Sequence, residues 1–330
     1  MTAISDAVAA AADGVAPGRT SGVAVRPDGS AGLILAVDGL SRAEGADLQA
    51  AVEAAVRAVP GVGEVRVILT ADRDTPPAEP AKPVIRAIVA VASGKGGVGK
   101  STVAANLAVA LGRQGRRVGL LDADIYGPSV PTLFGIHERA GLVGNRIQPI
   151  AAHGIQTLSM GMMTDPEKAV IWRGPMAASA FTQMIELADW GDLDVLVIDM
   201  PPGTGDIQLT LAQKVKPAGA VVVSTPQDLA LIDANRAIAM FGETGVRVLG
   251  LVENMSFHIC EACGHESHPF GHGGAEETSA RLGVPFLGRI PLKSAIREAS
   301  DAGLPPALGD GPEAAAFAAL ATGVAAALKL

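Results

Sequence analysis

Aromatic side chains are scarce, at 3% of 330 residues, although hydrophobic residues reach 48%. The chain is long enough for a sizeable core and more than one domain, and abundant Ala and Gly must pack that core. Such a mix excludes a disordered chain and describes a soluble globular protein. Positive charge is also short. A formal net charge of −8 argues against a general nucleic-acid binder, whose surface needs clustered Lys and Arg. Long apolar runs are missing as well. "MTAISDAVAAAADG" has no basic region ahead of an apolar stretch, so no secretory signal is expected. The Ala-rich tail "AAAFAALATGVAAALKL" (314–330) is shorter than a bilayer span and has almost no basic residues. It is expected as a packed or frayed terminal helix in a cytoplasmic protein with no membrane or nucleic-acid partner. Cysteine occurs only at Cys260 and Cys263. In a reducing compartment, that two-residue gap suggests metal or redox chemistry rather than a structural disulfide.

Three regions are expected. Residues 1–72 read as a small α+β domain. "GVAVRPDGSAGLILAVDG" alternates apolar residues around a Pro-Asp-Gly turn, which predicts a hairpin. Leu48, Val52, Val56 and Val59 share one helical face, and "GVGEVRVILT" follows as a strand in which Val65, Val67 and Leu69 alternate with Arg66 and Ile68. Residues 73–83, "RDTPPAEPAKP", have the prolines and charges of an extended linker. Residues 84–330 form the third region. Short apolar runs at 84–93, 117–124, 193–200, 219–225 and 247–255 alternate there with helical segments. This pattern predicts an α/β fold, a mainly parallel sheet with helices on both faces. Ligands bind such sheets where loops leave the carboxyl ends of the strands.

The loops in question carry the chemistry. Gly94-Lys95-Gly96-Gly97-Val98-Gly99-Lys100-Ser101 fits G-x-x-x-x-G-K-[ST] between an apolar run and a helix whose Val103, Leu107, Ala110 and Leu111 share a face. Successive backbone N–H groups and a helix N-terminus, reaching Thr102, would cradle phosphates. Lys100 would reach the β- and γ-phosphates of ATP and Ser101 would ligate Mg²⁺. Asp199 ends the run "DVLVIDM", where an unpaired carboxylate is costly unless linked to Mg²⁺; a helix-capping Asp is the alternative. "PPGTGD" after it is a candidate γ-phosphate-sensing loop. Asp122 and Asp124 end another run; Asp124 is assigned to orient the attacking water and Asp122 to the metal shell, with plain turn carboxylates as the alternative.

"GKGGVGKST" resembles the deviant Walker A motif of the P-loop ATPases that include MinD and ParA, the nitrogenase iron protein and the arsenite-pump ATPases. "DADIYGPSVP", "WRGPM", "IDMPPGTGD", "VENMS" and "GVPFLGRIPLKSAIREASDAG" narrow the resemblance to the Mrp/ApbC iron–sulfur cluster carrier ATPases over about residues 84–310. That resemblance implies a homodimer that binds ATP, hydrolyses it slowly, receives a [4Fe–4S] cluster from an assembly scaffold and delivers it to apo-proteins. It makes Lys95 the signature lysine that crosses to the partner's phosphates, a cation supplied in trans to phosphoryl transfer. It matches Asn254 to a residue reading the adenine edge, and Pro291 and Leu292 to a loop lining the base pocket.

Cys260 and Cys263 supply half the thiolates of a cubane cluster, and two chains about a twofold axis would complete the set. The family usually has Pro after the first cysteine; here it is Glu261. A single-chain zinc site of Cys260, Cys263, His265 and His268 is the local competitor, as would suit a MinD/ParA-like positioning ATPase. Many relatives carry an Asp-Pro-Glu stretch and a cysteine in the small N-terminal domain. Both are absent here, so that domain supplies no thiolate.

Overall fold

The computed structural model describes residues 2–70, 84–124, 127–163 and 174–330. The proposed linker 73–83, Trp172 and Arg173 of "WRGPM", and Ile125 and Tyr126 lie outside the described residues. The chain forms two compact units, Met1–Lys82 and Pro83–Leu330.

In the first unit, strands Thr20–Val25 and Ala31–Ala36 pair antiparallel across the Pro-Asp-Gly turn, and Val65–Thr70 pairs parallel to the second. Parallel pairing needs a crossover, and helix Arg42–Arg57 provides it. Ser41 and Glu44 start that helix with a reciprocal capping box. Val52 and Val56 are fully buried with Leu33, Leu35, Val65 and Val67, beside Val8 and Ala12 of helix Thr2–Val15. Leu69 departs from the expected alternation: it is exposed near the end of its strand.

The second unit is built on an eight-stranded sheet. Its order is Phe286–Arg289, Val248–Glu253, Gly219–Ser224, Ile85–Ala92, Leu193–Asp199, Val118–Asp122, Ile155–Ser159 and Ile150–Ala152. All described pairings are parallel except the last, which is antiparallel. The apolar runs are continuous because both faces are covered. Val89, Val91, Val195 and Val197 pack on one side against Val103, Leu107 and Leu111 of helix Lys100–Arg113, with Phe317, Leu320 and Val324 of helix Pro312–Leu328. The Ala-rich tail is thus a packed helix. Ala90, Ala92, Leu196 and Ile198 face the other side, against Phe181, Met184, Ala234 and Phe241. No helix among the described residues is long and apolar enough to cross a membrane.

The parallel order brings the carboxyl ends of seven strands to one edge. Asp199 stands in register with Asp122, and Asp122 with Ser159. From this edge leave the glycine-rich loop, the Asp124 loop, the Pro-Pro-Gly loop and the segment beginning at Asn254.

Candidate functional site

The glycine-rich loop turns between strand Ile85–Ala92 and helix Lys100–Arg113. Ser93 Oγ donates to the Lys95 carbonyl at 2.8 Å and closes the turn from within. Two glycines are required for identifiable reasons. Gly99 has φ +79°, and a Cβ there would lie 2.2 Å from Asn254 Nδ2. A Cβ on Gly94 would lie 2.0 Å from the Asp233 carbonyl oxygen, in the first turns of helix Asp228–Glu243. Gly94→Ala must therefore displace backbone. We expect a loss of about 1–3 kcal/mol of stability from overpacking, read as a lower Tm; an unchanged Tm would contradict the packing described.

The loop encloses a cavity of about 280 Å³ lined by Ser93, Lys95, Gly96, Gly97, Gly99, Lys100, Ser101, Thr102, Asp124, Ser129, Leu133 and Pro202. Lys95 is half-buried here, and no hydrogen bond or ion pair joins its ammonium to a described residue. Val98 turns its side chain into the core, while its carbonyl accepts from Asn254 Nδ2 at 2.8 Å. Lys100 is buried, and its Nζ ion-pairs with Asp199 Oδ1 and lies 3.2 Å from Ser101 Oγ. The Pro-Pro-Gly loop is tied to the same floor: Gly203 N donates to the Ser93 carbonyl at 2.9 Å, and Gln208 Nε2 to the Pro202 carbonyl at 2.5 Å.

Two buried carboxylates lie beneath. Burial raises the Asp199 pKa against the opposing pull of Lys100. Its Oδ2 is buried with no hydrogen-bond partner, an orphan that a cation would satisfy. Asp199 and the adjacent Ser101 hydroxyl therefore fit the Mg²⁺ set read from sequence. Asp122 is pushed up to about 7 by burial and then by the Asp199 charge. Its two oxygens accept from chain groups: Asp124 N at 3.0 Å, Val130 N at 3.2 Å and Ser159 Oγ at 3.0 Å. Asp124, at the cavity wall, accepts from Gly127 N at 3.2 Å. Pro202 belongs to the "PPGTGD" loop and Ser129 to "DADIYGPSVP", both read from the sequence; Ser93 and Ser159 were not singled out there as site residues.

Asn254, Pro291 and Leu292 do not line this cavity; they join it to the cysteines. From Asn254 the chain runs through Met255, at φ +55°, to Ser256, whose N donates to the Ile290 carbonyl at 3.0 Å. Leu292 N donates to the Phe257 carbonyl at 2.7 Å, and His258 Nδ1 to the Leu292 carbonyl at 3.1 Å. Glu253 anchors the same root. Fully buried, it accepts from Ser256 Oγ at 2.5 Å and Ala275 N at 2.9 Å.

The cysteines sit on a short hairpin, His258–Ile259 against Glu266–Ser267. Cys260 N donates to the His265 carbonyl at 2.9 Å and Gly264 N to the Cys260 carbonyl at 2.8 Å, with Gly264 at φ +71°. This turn aims the N–H groups of Cys263 and Ala262 at the Cys260 sulfur; with the Cys263 thiol they lower its pKa, against the Glu261 charge. The donors are at 262 and 263, so Glu261 in place of Pro leaves the nest intact. Cys260 is half-buried and Cys263 exposed. His268 is used otherwise: its Nδ1 bonds the Ser256 carbonyl at 3.3 Å, and its Nε2 lies 3.4 Å from Glu266 Oε1. Among the described residues no three His, Cys, Asp or Glu side chains come together to hold a metal, so the single-chain zinc set is not assembled.

Residues 84–325 match the family profile described as the NUBPL iron-transfer P-loop NTPases. The chain is 56% identical over 229 residues to an iron–sulfur cluster carrier protein of Pseudomonas fragi, covering 68% of this chain and 80% of that one. It is 53% identical over 223 residues to the carrier of Escherichia coli (strain K12), covering 67% of this chain but only 60% of that relative's length. A nucleotide-binding protein from Archaeoglobus fulgidus, solved in complex with ADP, superposes with a TM-score of 0.62 at 40% identity, covering 68% of this chain and 90% of that one.

Proposed function

The chain belongs to the NUBPL iron-transfer P-loop NTPase family of iron–sulfur cluster carriers, and from that premise we propose that it is an ATP-hydrolysing carrier acting as a homodimer. In this reading one [4Fe–4S] cluster, the cargo, is bound on the twofold axis by Cys260 and Cys263 of both chains, received from an assembly scaffold and passed to apo-proteins. One observation carries the coupling of ATP to cluster. The segment whose Asn254 amide grips the glycine-rich loop at Val98 continues directly into the hairpin bearing Cys260.

ATP is the substrate of the cavity. The backbone N–H groups of residues 94–102 and the start of helix Lys100–Arg113 bind its phosphates. Lys100 holds the β- and γ-phosphates and Asp124 orients the attacking water. Mg²⁺ held by Ser101 and Asp199, with Asp122 in its outer shell, would offset charge on the phosphate oxygens. Lys95 supplies the cation that the partner chain's nucleotide meets. Asn254 and the Pro291–Leu292 loop lie on the adenine side.

The trans role of Lys95 has a direct test. Lys95→Ala and Lys100→Ala chains are expected to be nearly inactive in ATP hydrolysis separately. Mixed in equal amounts, they regain about a quarter of wild-type activity, because half the dimers are mixed and each contains one complete site. A mixture as inactive as its components would refute trans action, as would full activity of Lys95→Ala alone.

A further inference from the structure

Ser159 ends strand Ile155–Ser159 and is fully buried. Its Oγ donates to Asp122 Oδ2 at 3.0 Å and accepts from Gly161 N at 3.1 Å. Asp122 therefore joins three separate pieces of chain. On Oδ2 it holds Ser159 and Val130 N, the first residue of helix Val130–Leu133; on Oδ1 it holds the backbone N–H of Asp124. Asp124 is the only member of this group that lines the cavity.

The arrangement has a consequence for geometry. A carboxylate can rotate about its χ2, and that bond has a broad, soft profile. The Ser159 hydroxyl comes from a neighbouring strand in register with Asp122, so it fixes the carboxylate from outside the Asp124 loop. With the hydroxyl gone, Oδ2 keeps one donor among the described residues, Val130 N at 3.2 Å, and the hold on Asp124 N loosens. We infer that Ser159 is a positioning residue for phosphoryl transfer, acting through Asp122 to hold Asp124 at the cavity wall. This rests on the proposed ATPase reading. Misplacing a group that orients the attacking water lowers the rate of the chemical step while leaving phosphate binding to the glycine-rich loop unaffected.

The test is steady-state ATP hydrolysis by the full-length chain carrying Ser159→Ala, Ser159→Thr, Asp124→Asn or Ser159→Ala with Asp124→Asn. Ser159→Ala is expected to lower kcat about five- to tenfold with KM for ATP within about twofold of wild type. Ser159→Thr, which keeps the hydroxyl on a residue suited to a strand, is expected to retain most of the rate. Because Ser159 acts through Asp124, adding Ser159→Ala to Asp124→Asn is expected to cost nothing further. A residue that merely filled space would lower Tm without that non-additivity. Wild-type kcat in Ser159→Ala would overturn the inference, and so would an equal loss in both backgrounds. If Asp124→Asn hydrolysed ATP at the wild-type rate, the assignment of Asp124 would itself be overturned, and the role of Ser159 with it.

Discussion

Lys100→Ala is expected to lower kcat/KM for ATP by at least about 10²-fold. The lysine is placed by three features legible in the chain. It begins helix Lys100–Arg113, it lines the cavity, and its ammonium lies between Asp199 and Ser101. Removing it takes away the cation that faces the phosphates and leaves Asp199 buried without its ion-pair partner, which destabilises a protein strongly. The two effects can be separated. Lys100→Arg keeps a cation beside Asp199, so its Tm should stay near wild type, yet a planar guanidinium cannot replace a compact ammonium in a loop this close. Hydrolysis should therefore fall in Lys100→Arg without a loss of fold. A Lys100→Arg protein that hydrolysed ATP at the wild-type rate would show that the cavity tolerates any cation there.

The second large effect concerns the hairpin. Anaerobic reconstitution of Cys260→Ser is expected to leave less than about a tenth of the wild-type iron and to abolish the thiolate-to-iron absorption, since a cubane cluster with two ligands missing has no stable alternative. Cys263→Ser should behave similarly. The N–H groups of Cys263 and Ala262 lower the Cys260 pKa, which eases the loss of the proton that metal capture requires. His268→Ala is expected to bind iron as wild type does, because His268 is engaged with the Ser256 carbonyl and Glu266 rather than with the cysteines. Loss of metal in His268→Ala with retention in Cys260→Ser would reverse the assignment.

The parallel sheet was legible because its central strands are buried on both faces, which forces continuous runs such as Val195–Ile198 and Val221–Val223. The flanking strands Ile150–Ala152, Ile155–Ser159 and Phe286–Arg289 were not read from the sequence. They are three to five residues long, and a run so short has no period to detect. The glycine-rich loop was equally clear, since backbone geometry dictates its glycines. Ser159 was invisible for a related reason: its partner Asp122 is 37 residues away in sequence, and only the strand register brings them together. Leu69 shows the opposite failure. Alternation grouped it with Val65 and Val67, but the strand reaches its end there and the side chain is exposed among the described residues. In the cysteine loop, spacing alone left zinc and a shared cluster open. The contact of His268 with the Ser256 carbonyl speaks against the zinc set, and sequence spacing carries no trace of that contact.

The shared cluster is the central claim, and native mass spectrometry of the anaerobically reconstituted full-length protein, with iron and zinc counted on the same sample, tests it most directly. A dimer carrying about four iron atoms per two chains is expected, and a monomer without iron for Cys260→Ser. A monomer retaining its full complement of metal, or one zinc per chain with no iron, would contradict it.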